Sequence, residues 1–297
     1  MDPQSIITFE PSESPFEAIY VDITHRCQMA CANCYLPNRL IPDMDVDRLY
    51  DVLRDLPAKT DIRLIGGEPT LRSDLIDIIK SISDLGHRPM LITNGLKLSN
   101  LQYCEELKEA GLAYAQISLN GFDDDSIYKI IDKMNCAQDK MRAIENCDQV
   151  GIGVAVSTIL IKNINEHLVS KILTYMKKFK KSTRVNFRNV GDLGRSMASE
   201  IDNLTFDDLI QLTSQETNVS ADEIKKYMSS PNQIRFPYKI GPKRSETIWI
   251  KLTDWQNYPL GVIDREVIIK NSVKGRISQD FKLVPFFEHV KLNEFGY

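Results

Sequence analysis

No cysteine follows Cys147 in this 297-residue chain, and three of its six cysteines fall within eight residues. That distribution excludes the spread framework of a disulfide-stapled secreted domain. The N-terminal stretch, residues 1–17, has neither a basic region nor an apolar segment, so no signal peptide is expected. Long apolar runs are missing too: the longest, Val150 to Ile161, is too short and too interrupted to cross a bilayer. A formal net charge of −4 leaves no basic excess for general nucleic-acid binding. The expectation is a cytoplasmic protein in a reducing compartment, with no membrane contact.

The charge is unevenly spread. From Ser230 onward eleven Lys/Arg face seven Asp/Glu, which leaves −8 on the first 229 residues. An anionic substrate beneath a basic C-terminal cap and ordinary surface variation both account for this.

Between residues 18 and about 190, short apolar runs alternate with helical patterns. The runs are Ala18–Ile23, Ile62–Ile65, Pro89–Thr93, Tyr114–Leu119, Ile152–Leu160 and Arg184–Phe187. Such alternation predicts a parallel sheet with helices outside, and Gly86, Gly111 and Gly151 each mark a helix end. Six strand–helix units predict an α/β fold, a partial (β/α)6 TIM-like barrel with a C-terminal α+β extension. Its parts are an extension over 1–17, a core over 18–200, and C-terminal helices with a strand-rich cap over 201–297. Every polar or glycine-rich motif lies just after a strand, where chemistry sits in such folds.

The first of these motifs is Cys27-Gln28-Met29-Ala30-Cys31-Ala32-Asn33-Cys34, a C-x3-C-x2-C loop. Three thiolates in so short a loop can hold a [4Fe–4S] cube by three corners and leave one iron open. A zinc site completed by His25 is the alternative from another class, a non-enzymatic metal-binding module. Zinc sites more often pair two C-x2-C halves, and a second half is lacking.

This loop, followed by Gly66-Gly67-Glu68-Pro69, resembles the radical S-adenosylmethionine (SAM) superfamily, in the branch of the molybdenum-cofactor and peptide-modifying enzymes. The resemblance implies that Cys27, Cys31 and Cys34 hold the cluster and that SAM chelates the open iron. It also implies SAM contacts at Tyr35, Gly66, Gly67, Glu68, Pro69, Thr93, Asn94, Ser118, Asn120, Lys162 and Arg188. Two positions depart from the family pattern: Asn33 stands where an aromatic is usual, and Gln28 where Asn is common. Auxiliary clusters, common in this branch, have no cysteines in the tail to hold them.

The resemblance further implies an electron donor such as flavodoxin or ferredoxin, and reductive SAM cleavage to methionine and a 5′-deoxyadenosyl radical. That radical takes a hydrogen atom from the substrate. For the substrate two classes stand: a small anionic molecule such as a nucleotide or sugar phosphate, and a ribosomal peptide. Arg235, Lys239, Lys243, Arg244 and Lys251 are candidate anion ligands. Thr247–Trp255 alternates, with Trp249, Lys251 and Trp255 on one side, and reads as a strand that could lie over the barrel mouth. Val284–Phe287 is available to cover that strand instead. Cys136 and Cys147, about 16 Å apart on one helix, are too far apart for one metal. With Cys104 they read as core residues, or as a hydrogen-atom donor.

Overall fold

In a computed structural model, the structure describes residues 7–36, 38–179, 184–191, 201–241, 247–256 and 274–286. One eleven-stranded sheet organises them, in the order β11-β10-β1-β2-β3-β4-β5-β6-β9-β8-β7. The core strands are β1 (Ala18–Thr24), β2 (Asp61–Gly66), β3 (Arg88–Thr93), β4 (Tyr114–Ser118), β5 (Gly153–Ile159) and β6 (Arg184–Arg188). Between them lie α1 (Val46–Arg54), α2 (Leu75–Asp84), α3 (Leu101–Glu109), α4 (Asp125–Ile131), α5 (Ala137–Val150) and α6 (Leu168–Met176). The partial barrel is therefore present, and Gly86, Gly111 and Gly151 all take the positive φ of helix-ending glycines. The short helix α4, capped by the Asp124 carboxylate on Ser126 N–H, was not legible from the periodicity.

After β6 come α7 (Phe206–Thr217), α8 (Ala221–Lys225), β7 (Met228–Ser230), β8 (Gln233–Lys239), β9 (Thr247–Thr253), β10 (Lys274–Ile277) and β11 (Leu283–Pro285). The strand over Thr247–Thr253 does not cross the mouth. It pairs in parallel with β6, Trp249 opposite Arg184 and Lys251 opposite Asn186, and extends the sheet. Likewise β10 pairs in parallel with β1 at the other edge. Residues 283–285 do not cover β9: they pair with β10, and the Phe286 ring lies 4.2 Å from Tyr20. Eight consecutive strands, β10 and β1 through β6 to β9, thus run parallel.

The two faces of the sheet differ. Ile19, Val21, Ile62, Leu64, Ile117, Val156, Phe187, Ile250 and Leu252 are fully buried and share one core with Leu53, Ile78, Ile144 and Ile172 of the helices. The alternate positions Tyr20, Arg63, Gln116, Asn186, Arg188 and Lys251 point to the other side and are only partly buried. This second face is the concave lumen of the half-barrel. Its wings meet there, with Lys274 Nζ of β10 3.5 Å from Gln233 Oε1 of β8.

Candidate active site

The loop after β1 carries the three cysteines, all partly buried. It rests on a small apolar floor of Met29, Tyr128, Cys136 and Ala137, against which Cys27 and Cys31 pack. Ala32 N–H donates to the Ile131 carbonyl at 2.8 Å, which ties the loop to the end of α4. Burial pushes the Cys27 and Cys31 thiols up from their ordinary values, and Asp132 beside Cys31 adds to the rise. A positive metal centre is what would hold these sulfurs as thiolates.

Gly66-Gly67 joins this loop by backbone. Gly67 N–H donates to Thr24 O and Glu68 N–H to Arg26 O, both at 2.8 Å. A β-carbon would sit 2.0 Å from Thr24 O at Gly66, where φ is +134°, and 2.3 Å from Arg26 O at Gly67. The glycines are thus required by the approach of two protein backbones, irrespective of any bound ligand.

Glu68 is fully buried. Its carboxylate accepts from Thr70 N–H at 3.0 Å, Thr70 Oγ1 at 2.6 Å, Thr93 Oγ1 at 2.7 Å and Asn94 N–H at 2.7 Å. Four donors fill its lone-pair directions, so Glu68 and Thr93 lock the ends of β2 and β3 together. Pro69 opens the short turn that presents Thr70.

The other expected SAM contacts divide. The Asn94 Nδ2 and the Arg188 Nε are buried without a partner among the described residues, so both are donors available to a ligand. Ser118 lies at the end of β4, partly exposed to the lumen. Asn120 is occupied: its Nδ2 donates to Asp132 Oδ1 at 2.8 Å, and its Oδ1 accepts from Ile159 N–H at 3.0 Å. Tyr35 turns its hydroxyl onto Asp22 Oδ1 at 3.0 Å and Gly66 O at 3.4 Å. Lys162 is exposed and paired with Asp202 at 2.8 Å, which sets it on the surface.

Several residues here had no motif to announce them. Asp132 and Lys140 form a buried ion pair, 3.2 Å apart, and Lys140 Nζ also donates to Ser118 O at 2.8 Å. Arg72, also buried, donates to the carbonyls of Ile23 and Met44 and pairs with Asp74. Arg39 Nη2 lies 2.9 Å from Cys34 Sγ. Each was a charge in an amphipathic or loop context, where solvation is the ordinary fate.

Below the strand ends, the lumen is lined by cations set on aromatic rings. Arg63 lies 5.1 Å from the Tyr20 ring centroid, Arg184 5.0 Å from Tyr114, Arg188 5.9 Å from Trp255 and Arg235 4.8 Å from Trp249. Lys251 stands between them, its ammonium facing Lys274, Arg63 and Arg188, and burial followed by these cations drives its basicity well down. Asp22, the buried lumen carboxylate, is engaged by Arg276 and Tyr35. Alternation within β2 and β9, which sets Arg63 and Lys251 opposite the buried apolar positions, was the signal for these two cations. Lys239 is exposed at the end of β8, and Lys243 and Arg244 lie outside the described residues.

The donor set separates the two metal readings. Among the described residues no three His, Cys, Asp or Glu side chains converge as a single-ion site requires. His25, the fourth ligand in the alternative zinc reading, is buried with Nδ1 3.1 Å from the Asn38 carbonyl. Three soft donors on one loop, with Met29 N–H 3.4 Å from Cys27 Sγ and Arg39 on Cys34, fit a larger, negatively charged cluster. The remaining thiols are core: Cys104 and Cys147 are fully buried where α3 packs on α5, and Cys136 lies in the loop's apolar floor.

Comparison with known proteins agrees. A family model described as the Radical SAM superfamily matches residues 21–176. The chain is 31% identical over 210 residues to the 7,8-dihydro-6-hydroxymethylpterin dimethyltransferase of Methanocaldococcus jannaschii, covering 67% of this chain and 41% of that protein. It is 27% identical over 232 residues to a GTP 3',8-cyclase of Staphylococcus aureus, covering 72% and 66%. The chain therefore spans less than two thirds of these relatives. Among solved structures, Streptococcus suis SuiB bound to S-adenosylmethionine superposes with a TM-score of 0.63 at 15% identity, covering 94% of this chain and 62% of that one. That likeness concerns the fold. Proteins of this family use a [4Fe–4S] cluster and SAM, and no helix among the described residues is long and apolar enough to cross a membrane. With its cysteine loop intact and the family match extending over more than half of its length, this chain belongs to the radical S-adenosylmethionine superfamily of enzymes.

Proposed function

We propose that this enzyme takes a hydrogen atom from a small polyanionic molecule, a nucleotide or sugar phosphate, held inside the half-barrel. The observation that carries the proposal is the stacking of Arg63, Arg184, Arg188 and Arg235 on rings instead of carboxylates. A ring fixes a guanidinium plane without neutralising its charge. None of these four, nor Lys251, forms an ion pair among the described residues. Arg63, Arg184, Arg188 and Lys251 are partly buried and Arg235 is exposed; like charges gathered this way repel until an anion enters, and phosphate oxygens match the guanidinium fork. The name of the Staphylococcus aureus relative, a GTP cyclase, agrees with such a substrate.

Cys27, Cys31 and Cys34 would ligate the cluster. The Gly66–Pro69 frame would set its distance from the strand ends, and Asn94, Ser118 and Arg188 would offer polar contacts to SAM. When bound, cluster and SAM supply a reductively generated carbon radical. The protein's own part is orientation and exclusion of water around the substrate carbon. A one-electron donor such as flavodoxin or ferredoxin would supply the electron. A ribosomal peptide is the second reading, because SuiB is known bound to its precursor peptide SuiA.

The test uses anaerobically reconstituted protein with dithionite and SAM. About four irons per chain and release of 5′-deoxyadenosine are expected, both lost in Cys31→Ala. Adding GTP or a mixture of sugar phosphates should raise the yield, and Arg63→Gln should abolish that rise. A colourless protein with stoichiometric zinc overturns the enzymatic reading. Stimulation by peptides alone overturns the anionic one.

A further inference from the structure

We propose that Arg39 is a positioning residue that raises the reduction potential of the cluster held by Cys27, Cys31 and Cys34. Its Nη2 lies 2.9 Å from Cys34 Sγ, and its positive charge also acts on Cys27, so one guanidinium serves two of the three ligand sulfurs, one by contact and one through its field. The neighbouring arginines are neutralised, Arg26 by Asp43 and Arg72 by Asp74. Arg39 forms no ion pair among the described residues, and its Nη1 is buried without a partner. Among the described residues the one hydrogen bond of this partly buried cation goes to sulfur. The third ligand differs: Cys31 faces Asp132, with Lys140 behind it. Positive charge is thus concentrated on one side of the loop.

The physical consequence has a fixed sign. With three thiolates, a [4Fe–4S]2+ core carries a net charge near minus one. One electron from a low-potential donor takes it to [4Fe–4S]1+ and a charge near minus two. A fixed cation and N–H···S hydrogen bonds stabilise the more negative state. Arg39 therefore eases the step that a weak physiological reductant finds hardest. Lysine would keep the charge and lose the planar, directed N–H on Cys34.

The experiment is an EPR-monitored redox titration of the reconstituted protein without SAM. For Arg39→Gln with full iron content, we expect the ratio of reduced to oxidised cluster at the wild-type midpoint to fall about tenfold. That is a shift of about 59 mV toward negative potential for one electron. Arg39→Lys should fall between the two. An unchanged midpoint in Arg39→Gln overturns the proposal. If that variant loses its cluster, pulsed EPR on wild-type protein carrying 15N-arginine decides. A nitrogen coupling to the reduced cluster, absent from Arg39→Lys, supports it, and no coupling in the wild type overturns it. Iron content tests cysteine ligation separately, so failure of the cluster assignment and failure of this role are distinguishable.

Discussion

Gly67 lies so close to Arg26 that a β-carbon at its position would stand 2.3 Å from the Arg26 carbonyl oxygen. The two residues are far apart in the chain, and the Glu68 N–H closes the contact at 2.8 Å on that same oxygen. The cysteine loop and the glycine pair are therefore one backbone unit. Gly67→Ala must push the loop away from β2, where neither side is a flexible side chain. We expect iron content to drop to less than half of wild type while the far-UV circular dichroism stays helical and sheet-like. Full iron occupancy in Gly67→Ala would show that the loop has slack the geometry denies.

Glu68 meets four donors in a fully buried site. Glu68→Gln sets an amide NH2 against donors already committed to that site. The expected loss of stability is about 1–3 kcal/mol, read from urea unfolding, with Glu68→Ala no less damaging. A Gln variant as stable as wild type would mean that the amide oxygen alone satisfies the cradle.

Lys140 and Asp132 are buried together, and Asn120 supports the carboxylate. Breaking such a pair from one side leaves an uncompensated buried charge, worth about 3–5 kcal/mol. Lys140→Met should therefore unfold at much lower denaturant than wild type. Adding Asp132→Asn to it should recover a large part of the loss. If the double variant is no better than the single one, the ion pair is not the reason Lys140 is buried.

Lys251 gives a pH signature. Burial, then Lys274 and the nearby arginines, hold its amine well below the usual lysine value. Between that depressed value and the unfolded value of about 10.4, the unfolded chain binds more protons than the folded one. Stability contributed at this site therefore rises with pH across that window, and the full cost of burial is present below it. Lys251→Met removes the cost, so its advantage over wild type should be largest at low pH and shrink as pH rises. A gain that stays constant with pH would place the ammonium in solvent instead.

Lys162 is a surface residue on Asp202, and Lys162→Ala should leave SAM affinity unchanged in equilibrium dialysis. A loss of binding would return this lysine to the site that the family resemblance assigned it.

How much of this was legible beforehand follows from the range of each interaction. The strands Ala18–Thr24 and Arg88–Thr93 were readable because burial between layers demands continuous apolar runs. The cysteine loop was readable because all three soft donors are supplied within eight residues. The destination of β9 was not. Its alternation fixed two faces but carried no information on which neighbour it would pair with, and the sheet edge at β6 took it. Lysines show the same limit: Lys140, Lys162 and Lys251 look alike in the chain. They end as a buried ion-pair partner, a surface residue and a lumen cation.

By itself, then, the amino-acid order determined the α/β class, the strand sequence up to Arg188 and the three sulfurs offered to a cluster. Those depend on local periodicity and on spacing along one loop. Only the folded chain decided that Gly67 abuts Arg26, that Arg39 reaches Cys34, and that cations from β2, β6, β8 and β9 share one lumen. These depend on which distant segments the sheet brings side by side, and the charge of a residue says nothing about its neighbours until the strands have paired.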